Sequence, residues 1–377
     1  MCNKKNVLHI IESSETGGAE TVFLDLVTRL DAKEYNNIAG LFYEGWLSRK
    51  LAEKNVEPAV FSTRGSFDIA LLLKLATFVR RNDIHLIHSH LFGANVYSSC
   101  AGKISNVPVI STFHGTMDVN PDNKLTKCKF WLVNKLSSVV VYVSKNLKNY
   151  YLDMKLGSSS KSLVIYNGID LDQYSKKSAF SKHDIRTELS LSKDDVLVGA
   201  VGDLRKPKGY EDLLHAALIL KSRYGKVKFV IAGSLTDEIV NYQERIRNNG
   251  LAKTVFFLGH RSDIPNILRC LDIFVLPSLS EGFSLSTIEA MAMEVPVIVT
   301  RCGGPEEIVT NGKSGIVVAV NSPNEIALAI TRILSDDVLA KKFAIQGRKA
   351  VEAMFSIDKM IRSYSELYQN VVEGRYI

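Results

Sequence analysis

The sequence has little proline, few cysteines and no long run of uncharged apolar residues. Only 9 prolines and 24 glycines occur among 377 residues, which excludes a collagen-like or low-complexity chain. The 5 cysteines are far apart and include no C-x-x-C pair, so we expect neither a disulfide framework nor a thiolate zinc site. Apolar stretches such as 273–280 fall far short of the roughly 18 to 20 residues that span a bilayer. We expect a cytoplasmic protein with neither membrane span nor signal peptide.

The charge is unevenly distributed along the chain. The net charge is +7, and residues 1–166 contain 20 Lys and Arg against 14 Asp and Glu, whereas residues 167–377 contain 27 against 26. A basic first half attracts anions. Nucleic acid is not the expected partner, because clustered arginines, interleaved aromatic residues and an RNA-binding signature are all missing. Phosphate-bearing small molecules or an anionic membrane surface fit better.

Short β-branched runs alternate with amphipathic stretches in two series, which predicts two parallel sheets covered by helices. We place the boundary near residue 168, with an N-terminal domain over 1–168 and a C-terminal domain over 169–356. The polar stretch 175–183 is a predicted linker, and 335–377 is predicted to be helical, with the last helix, about 357–377, packing back on the first domain. The predicted strands are 7–11, 37–42, 86–88, 109–113 and 139–143 in the first series, and 197–202, 228–232, 255–258, 273–276, 295–299 and 315–318 in the second.

The predicted fold class is therefore α/β, with two Rossmann-like domains. Ligands of open parallel sheets bind beyond the carboxyl ends of the strands, where loops and helix N-termini meet. Polar and glycine-rich segments follow the predicted strands in both halves. This pattern indicates an enzyme with a cleft between two domains and one substrate in each.

Gly17 and Gly18 follow the first predicted strand and open a helix. Glycines let backbone amides approach a ligand, and a helix N-terminus favours an anion. The segment is not G-x-G-x-x-G, so a dinucleotide site is poorly supported. A tight strand-to-helix turn is the alternative explanation.

Three histidines stand at predicted strand ends. His88 and His90 form an H-x-H pair, but no third ligand is recognisable nearby in the sequence, so we predict hydrogen-bonded structural roles. His114 precedes Gly115, which leaves open space beside the imidazole. We predict that His114 contacts a ligand hydroxyl or carbonyl group, with a buried structural histidine as the alternative.

The loop after Gly202 carries Arg205, Lys206 and Lys208 before the next predicted helix. Cations at a strand end neutralise a diphosphate, Arg through its fork and Lys as a point charge. We predict that Arg205 or Lys208 contacts phosphate. A solvated basic turn is the alternative.

The loop after the strand at 273–276 contains Glu281 and Gly282, and a helix predicted to begin near Ser286 contains Glu289. Amides at 283–286 can hold a phosphate, and a carboxylate can accept hydrogen bonds from two sugar hydroxyls. Ser286 and Glu289 also fit a capping box, which needs no ligand. Local structure offers no such explanation for Glu281.

Three other segments carry no specific ligand prediction. Gly312-Lys313-Ser314 lacks the earlier glycine that a P-loop requires, and Asp170-Leu171-Asp172 lies at the domain boundary rather than at a strand end. The segment 302–307, with two glycines and Pro305, fits a well-formed helix start.

Taken together, these segments resemble the group 1 glycosyltransferases, that is glycosyltransferase family 4, which are retaining enzymes of GT-B fold. The resemblance covers most of the chain, and its most specific part is the E-x7-E pair of Glu281 and Glu289. The matching motifs are Thr16-Gly17-Gly18-Ala19-Glu20, His114-Gly115, Val143-Ser144-Lys145, Asn167-Gly168-Ile169-Asp170, Lys208-Gly209, Phe257-Leu258-Gly259-His260, Pro277-Ser278, Glu289-Ala290-Met291-Ala292 and Gly303-Gly304.

The resemblance implies sugar transfer from a UDP- or GDP-linked donor to a glycan or lipid-linked acceptor, with retention at the anomeric carbon. It implies no metal and no cofactor beyond this donor substrate. By analogy Glu289 binds the ribose hydroxyls, Glu281 contacts the transferred sugar, and Lys208 holds the diphosphate. Further donor contacts are implied for Gly202 and Gly282, and for backbone amides of Phe283, Ser284 and Leu285.

The chain departs from the family pattern at one position. The family has Arg directly after the first glycine of its G-R-L-x-x-x-K-G loop, and here that position is Asp203. We expect Arg205 to substitute for the missing arginine. Gly17, Gly18 and His114 are expected to border the acceptor and the reacting sugar.

Residues 124–132 join lysines with Phe130 and Trp131, a composition suited to an interfacial helix on anionic lipid. A surface helix with one buried face is the alternative. Because the family commonly acts on lipid-linked or lipopolysaccharide acceptors, we expect peripheral binding to the inner face of the cell membrane and a role in surface polysaccharide or lipopolysaccharide synthesis. Two other functions remain open, a nucleotide-sugar 2-epimerase and a catalytically silent nucleotide-sugar-binding subunit.

Overall fold

The computed structural model describes residues 4–63, 65, 68–116, 123–176, 184–221 and 224–375. The chain divides into two compact units, residues 1–168 with 357–377 and residues 169–356. Most of the predicted linker, 177–183, lies outside the described residues. Within the described ranges, no helix is both long enough and apolar enough to cross a bilayer.

Unit 1 is built on a parallel sheet of seven strands in the order β3-β2-β1-β4-β5-β6-β7. Strands β4, β5 and β6 are buried along their whole length, as expected for a sheet covered on both faces. The strands are β1 Lys5–Ile11, β2 Tyr35–Leu41, β3 Ala59–Val60, β4 Leu86–His90, β5 Val109–Phe113, β6 Val139–Tyr142 and β7 Ser162–Val164.

Seven helices belong to the described part of unit 1, and six of them connect its strands. They are α1 Gly18–Arg29, α2 Trp46–Glu53, α3 Ile69–Arg81, α4 Phe92–Ser105, α5 Lys124–Leu136 and α6 Lys145–Asp153, with the C-terminal helix α15 Ile357–Val372 added from the far end of the chain. Tyr364 and Tyr368 of α15 are fully buried, so the last helix completes the core of the first unit.

Unit 2 contains a parallel sheet of six strands in the order β10-β9-β8-β11-β12-β13. The strands are β8 Val196–Val201, β9 Val227–Ala232, β10 Val255–Gly259, β11 Ile273–Leu276, β12 Val297–Thr300 and β13 Ile316–Val318. Its helices are α7 Ile185–Glu188, α8 Tyr210–Lys221, α9 Ile239–Asn248, α10 Ile264–Cys270, α11 Leu285–Ala292, α12 Pro305–Ile308, α13 Pro323–Leu334 and α14 Asp337–Met354.

Both strand orders confirm the predicted pair of parallel, Rossmann-like sheets. In each sheet the strands are first added on one side of the first strand and later on its opposite side. The strand order therefore reverses between β1 and β4 and between β8 and β11, and these are the topological switch points. Open parallel sheets bind ligands at such points. The loop after β8 contains Lys208 and the loop after β11 contains Glu281, which places both predicted site residues at the switch point of unit 2.

Candidate functional site

Three loops of unit 2 interlock at the carboxyl ends of β8, β11 and β12. The amide of Leu279 donates to the carbonyl of Pro207 over 2.7 Å, which ties the second loop to the first. Gly209 has φ +65°, and a Cβ atom there would lie 2.0 Å from the carbonyl oxygen of Pro277. A larger residue is excluded at position 209 both by this contact and by the left-handed backbone.

The third loop fixes the backbone of Glu281. The Glu281 amide donates to the carbonyl of Cys302 over 3.2 Å, and the Gly304 amide donates to the carbonyl of Glu281 over 3.0 Å. A Cβ atom on Gly304 would lie 2.4 Å from the carbonyl oxygen of Gly282. Glu281 is therefore held by main-chain bonds on a well-defined framework, which predicts a functional rather than incidental carboxylate.

The side chain of Glu281 forms the centre of the site. Lys208 Nζ lies 2.7 Å and Ser278 Oγ lies 2.8 Å from Glu281 Oε1. The carboxylate side chain is 11% exposed and the lysine side chain 27% exposed, so the ion pair is largely shielded from water. Both contacts use Oε1, and a carboxylate has the capacity for further hydrogen bonds at Oε2.

Arg205 is not brought into this cluster. Its Nη2 lies 2.9 Å from Asp203 Oδ2, and its side chain is 56% exposed. Asp203 also accepts a hydrogen bond from the Ser234 amide over 3.0 Å. The aspartate that replaces the family arginine therefore forms an ion pair with Arg205, whereas Lys208 forms its ion pair with Glu281. A diphosphate role for Arg205 stays a prediction.

Gly202 shapes the start of the same loop. It has φ +152°, and a Cβ atom there would lie 3.3 Å from Lys208 Cε. The hydroxyl of Tyr210 donates to the Gly202 carbonyl over 2.7 Å. The glycine thus lets the lysine stem lie against the backbone, which positions the ammonium group.

Ser286 and Glu289 do not form the capping box that was the alternative explanation for Glu289. Helix α11 begins at Leu285 with Ser284 as its N-cap, and Ser284 Oγ accepts from the Thr287 amide over 3.3 Å. Glu289 is therefore beyond the third helical position, where a capping-box carboxylate would stand. The amides of the first turn have no acceptor inside the helix, so Leu285 and Ser286 offer donors to an anion.

Glu289 is half-buried in unit 2, and its carboxyl group lies beside Tyr174. Burial raises the pKa of the Glu289 carboxyl from 4.5 to about 7, and a hydrogen bond with Tyr174 lowers the pKa in part. Perturbed carboxyl pKa values are typical of functional sites. No sequence signal points to Tyr174, because it is more than 100 positions from Glu289 and the two residues become neighbours through folding.

The neighbouring residues of the E-x7-E loop have separate roles in packing. Phe283 is buried, and its ring lies 5.6 Å from that of Phe355 in an edge-on arrangement. Its side chain therefore packs in the core of unit 2. Gly282 and Ser284 are buried as well.

In unit 1 the predicted residues lie at the carboxyl ends of β1 and β5. Gly17 is the N-cap of α1, and a Cβ atom there would lie 2.3 Å from Glu20 Oε2. This close approach is a local reason for a glycine at position 17. Gly18 is the exposed first residue of α1.

His114 directly follows β5 and pairs with His90 at the end of β4. His114 Nε2 lies 2.9 Å from His90 Nδ1, and His114 Nδ1 is buried without a hydrogen-bond partner in the described part of the chain. Burial lowers the pKa of His114 from 6.5 to about 3, so the ring is neutral at neutral pH. A Cβ atom on Gly115 would have no neighbour within 4 Å among the described residues, as the predicted open space requires.

A third imidazole, which the sequence spacing does not reveal, lies near the H-x-H pair. One ring nitrogen each from His9, His88 and His90 lies within 4.8 Å of the others, in the core of unit 1. His9 is in β1, which pairs directly with β4, and the register places His9 opposite His88. Strand pairing rather than sequence spacing creates this cluster. His88 is hydrogen-bonded to Thr112 and Tyr368, as its predicted structural role requires.

The Asp170-Leu171-Asp172 segment is a turn rather than a metal site. Asp170 Oδ1 accepts hydrogen bonds from the amides of Asp172 and Gln173 over 3.0 and 3.3 Å. These local bonds account for the aspartate at position 170.

Two family models match the chain. The model "Glycosyl transferases group 1" matches residues 181–350, and the model "Glycosyltransferase Family 4" matches residues 16–173. The chain belongs to the group 1 glycosyltransferases of family 4. The first match contains the whole E-x7-E loop, and the second contains Gly17, Gly18 and His114.

Characterised relatives are similar over most of their length. The Escherichia coli UDP-Gal:alpha-D-GlcNAc-diphosphoundecaprenol alpha-1,3-galactosyltransferase is 28% identical over 82% of this chain and 81% of its own. The Bacillus anthracis N-acetyl-alpha-D-glucosaminyl L-malate synthase is 26% identical over 81% and 80%.

Solved structures share the fold. Anabaena HepE in complex with UDP-glucose superimposes with a TM-score of 0.86 at 22% identity and covers 97% of this chain and 99% of its own. A glycosyltransferase from Rickettsia africae gives a TM-score of 0.86 at 23% identity over 98% and 99%. The α/β fold class predicted from the sequence is confirmed by these neighbours.

Proposed function

We propose that this protein transfers a sugar from a nucleotide diphosphate sugar to a glycan or lipid-linked acceptor, with retention at the anomeric carbon and without a metal ion. Membership of the family supports glycosyltransferase activity. The observation that carries the donor site is the shielded pair of Lys208 and Glu281 at the switch point of unit 2.

Lys208 is the residue that would stabilise the departing diphosphate. An ammonium group in a shielded site interacts more strongly with a developing negative charge than it would in water. Glu281 holds this ammonium in place, and Ser278 orients the carboxylate. When the donor binds, the diphosphate replaces Glu281 as the ion-pair partner of Lys208. The Glu281 carboxylate then becomes available to the hydroxyls of the transferred sugar.

Glu289 and helix α11 would hold the nucleotide part of the donor. The first-turn amides of Leu285 and Ser286 suit a phosphate oxygen, because the helix dipole adds a partial positive charge there. The Glu289 carboxylate suits two neighbouring ribose hydroxyls. Such hydroxyl donors stabilise the charged form of a carboxyl group whose pKa burial has raised to about 7.

The acceptor and the reacting sugar would meet Gly17, Gly18 and His114 of unit 1. Within the described residues His114 Nδ1 is a buried nitrogen without a hydrogen-bond partner, and a sugar hydroxyl would satisfy it. Its low pKa makes it a neutral hydrogen-bonding group rather than a cation.

Relatives indicate the class of pathway. Their names include a capsular polysaccharide biosynthesis glycosyltransferase of Staphylococcus aureus and a lipopolysaccharide core biosynthesis mannosyltransferase of Rhizobium meliloti. The Escherichia coli relative is named for a diphosphoundecaprenol acceptor. We propose a role in cell-surface polysaccharide or lipopolysaccharide synthesis.

Helix α5 supports peripheral binding to an anionic membrane. Phe130 and Val133 are buried on one face, while Trp131 is 61% and Leu125 is 49% exposed. Exposed lysines flank them at positions 124, 127 and 135. Residues 103–161 contain 9 Lys and Arg against 3 Asp and Glu, which accounts for the positive excess of the first half. Exposed aromatic and aliphatic side chains among lysines are typical of an interfacial helix.

Calorimetric titration with UDP, GDP and ADP, followed by transfer assays with the sugars of the bound nucleotide, tests the proposed function. Binding of one diphosphate that Glu289→Ala abolishes, with transfer that keeps the anomeric configuration of the donor by proton NMR and persists in excess EDTA, is the expected result. Inversion would refute retention, and loss of transfer in EDTA would refute metal independence. Binding without transfer would favour the silent subunit, and conversion of the free nucleotide sugar would favour an epimerase.

A further inference from the structure

We infer that His90 is a positioning residue for His114: it holds the His114 imidazole through Nε2, so that Nδ1 is the nitrogen offered to the sugar. The inference rests on the proposed function, because it assigns a partner to a residue of that site. Neither the family models nor the names of the relatives give His90 a role.

The fold places the two histidines side by side. Strands β4 and β5 are neighbours in register, with His90 opposite Thr112. His114 stands two residues beyond Thr112, just past the end of β5, and its ring stacks on that of His90 with centroids 5.2 Å apart and planes inclined by 28°. This stacking and the 2.9 Å contact between His90 Nδ1 and His114 Nε2 fix both the position and the rotation of the His114 ring.

The pair leaves one reactive edge on His114. One nitrogen of the contact donates and the other accepts, so the tautomer of His114 is tied to that of His90. Because Nε2 is occupied, only Nδ1 can form a hydrogen bond with a ligand. That nitrogen is buried and has no hydrogen-bond partner among the residues that the structure describes. A buried polar atom without a partner is unfavourable, and a sugar hydroxyl would satisfy it.

Neighbouring rings in the core of unit 1 hold His90 in place. His88 lies 4.1 Å away between ring centroids and is fixed by hydrogen bonds to Thr112 and Tyr368. Phe23 packs edge-on against His90 at 5.5 Å. His90 therefore cannot turn away from His114 without disturbing the core of unit 1. Buried side chains that lock a functional residue in this manner preorganise a site.

A matched pair of variants separates positioning from packing. His90→Asn and His90→Leu introduce side chains of nearly equal size and branching, but only the Asn amide reproduces a polar group at the place of Nδ1. We expect His90→Leu to lower kcat/KM for transfer by about 100-fold, because small misplacements in active sites have effects of this order. We expect His90→Asn to retain kcat/KM within about tenfold of wild type. Equal activities of the two variants would overturn the inference.

An NMR measurement decides the inference independently of activity. In protein labelled with ¹⁵N histidine, with the His114 signals assigned from their loss in His114→Asn, we expect one fixed neutral tautomer in wild type and an averaged pair of tautomers in His90→Leu. Averaged tautomers in wild type would overturn the inference even if His90→Leu does not fold. A stoichiometric bound metal by elemental analysis would also overturn it, because His90 would then be a ligand in the cluster with His9 and His88.

The same experiments separate this inference from the proposed function. Nucleotide titration reports on the donor site of unit 2, so unchanged nucleotide affinity in both His90 variants shows that unit 2 is intact. If wild type transfers no sugar from any nucleotide donor, the proposed function fails, and the tautomer of His114 alone decides the role of His90.

Discussion

Lys208 Nζ lies 2.7 Å from Glu281 Oε1, although the two residues are 73 positions apart in the chain. The pair joins the loop after β8 to the loop after β11. Its two charges neutralise each other while the donor is absent. A donor diphosphate would therefore compete with Glu281 for the ammonium group, and the same exchange would release the carboxylate for the sugar.

This exchange predicts different effects for the two partners. Glu281→Ala should abolish transfer and leave the Kd for the nucleotide diphosphate within a few-fold of wild type, because the freed Lys208 still meets the phosphates. Lys208→Ala should weaken diphosphate binding by about 10-fold or more, since charged hydrogen bonds contribute about 1.5–3 kcal/mol. Transfer assays and calorimetry measure both effects.

Lys206→Ala is the matched control for Lys208, because Lys206 is an exposed cation in the same loop. We expect this control to behave like wild type. Retained transfer in Glu281→Ala would refute the role of Glu281, and equal effects of the two lysine variants would refute a specific phosphate contact by Lys208.

Gly209 and Gly312 provide a test of the loop interlock. Both have left-handed backbones, with φ +65° and +71°, but only at Gly209 would a Cβ atom meet a backbone atom, Pro277 O at 2.0 Å. Gly312→Ala should lower the free energy of unfolding by about 1–2 kcal/mol through backbone strain alone. Gly209→Ala should lower it further and weaken nucleotide binding. Urea unfolding and calorimetry measure the difference, and equal losses in the two variants would show that the loops separate easily.

Glu289 predicts a pH dependence of donor binding. Its pKa is raised to about 7 without a ligand, and ribose hydroxyls favour the charged carboxylate. Affinity should therefore rise with pH up to about 7 and then level off, with a slope of at most about tenfold per pH unit. A nucleotide sugar is the right probe, because its diphosphate does not titrate near neutral pH. A flat profile in Glu289→Gln is expected, and an unchanged slope there would assign the effect to another group.

The buried histidines predict a loss of stability in acid. Burial lowers the pKa of His9 to about 4 and of His114 to about 3, from 6.5 in each case. Below pH 6.5 the unfolded chain binds protons that the folded chain does not, so the free energy of unfolding falls, by up to about 1.4 kcal/mol per pH unit for each histidine. Urea unfolding between pH 7 and about 4 should show this slope.

His9→Gln should reduce the acid slope, because a Gln amide can keep the hydrogen bond from His9 Nε2 to Asn37 without binding a proton. His215→Gln is the control, since His215 is exposed in unit 2. If the free energy of unfolding falls with acid as steeply in His9→Gln as in His215→Gln, His9 does not contribute to the acid slope.

Helix α5 predicts binding to anionic vesicles. Trp131→Ser should weaken binding to phosphatidylglycerol vesicles, and Lys124→Ala and Lys127→Ala should each weaken it by about fivefold, since a lysine near an anionic surface contributes about 1 kcal/mol. Leu328→Ser is the matched control, because Leu328 is an exposed apolar residue of α13 in unit 2. Vesicle sedimentation measures the binding. Equal binding to neutral phosphatidylcholine vesicles would contradict an electrostatic contribution.

The sequence predicted most strands well and missed the two short edge strands of unit 1. Strand β5 is predicted to the residue, because five consecutive buried residues give a strong signal. Strand β3 has two residues, too few for any pattern, and it escaped prediction, as did the three-residue strand β7. Ser284 rather than Ser286 caps α11, and two serines two positions apart cannot be ranked without the backbone.

The candidate site shows the same division. Residues next to strand ends, such as Lys208 and Glu281, can be found from local sequence, because the carboxyl ends of parallel strands share one edge. The residues that contact them from distant parts of the chain cannot be found in this way. Tyr174 beside Glu289, and His9 beside His88, become neighbours only through chain topology and strand register.

The position of α15 in the core of unit 1 orders the events of synthesis on the ribosome. Residues 169–356 form a continuous segment, so unit 2 has all of its sequence while the C-terminal helix is still in the exit tunnel. Unit 1 begins to be translated first, yet it lacks the buried residues Tyr364 and Tyr368 until unit 2 has been translated. The core of unit 1 therefore stays incomplete during translation of unit 2. A premature stop before residue 357 would destabilise unit 1, although it is translated before unit 2.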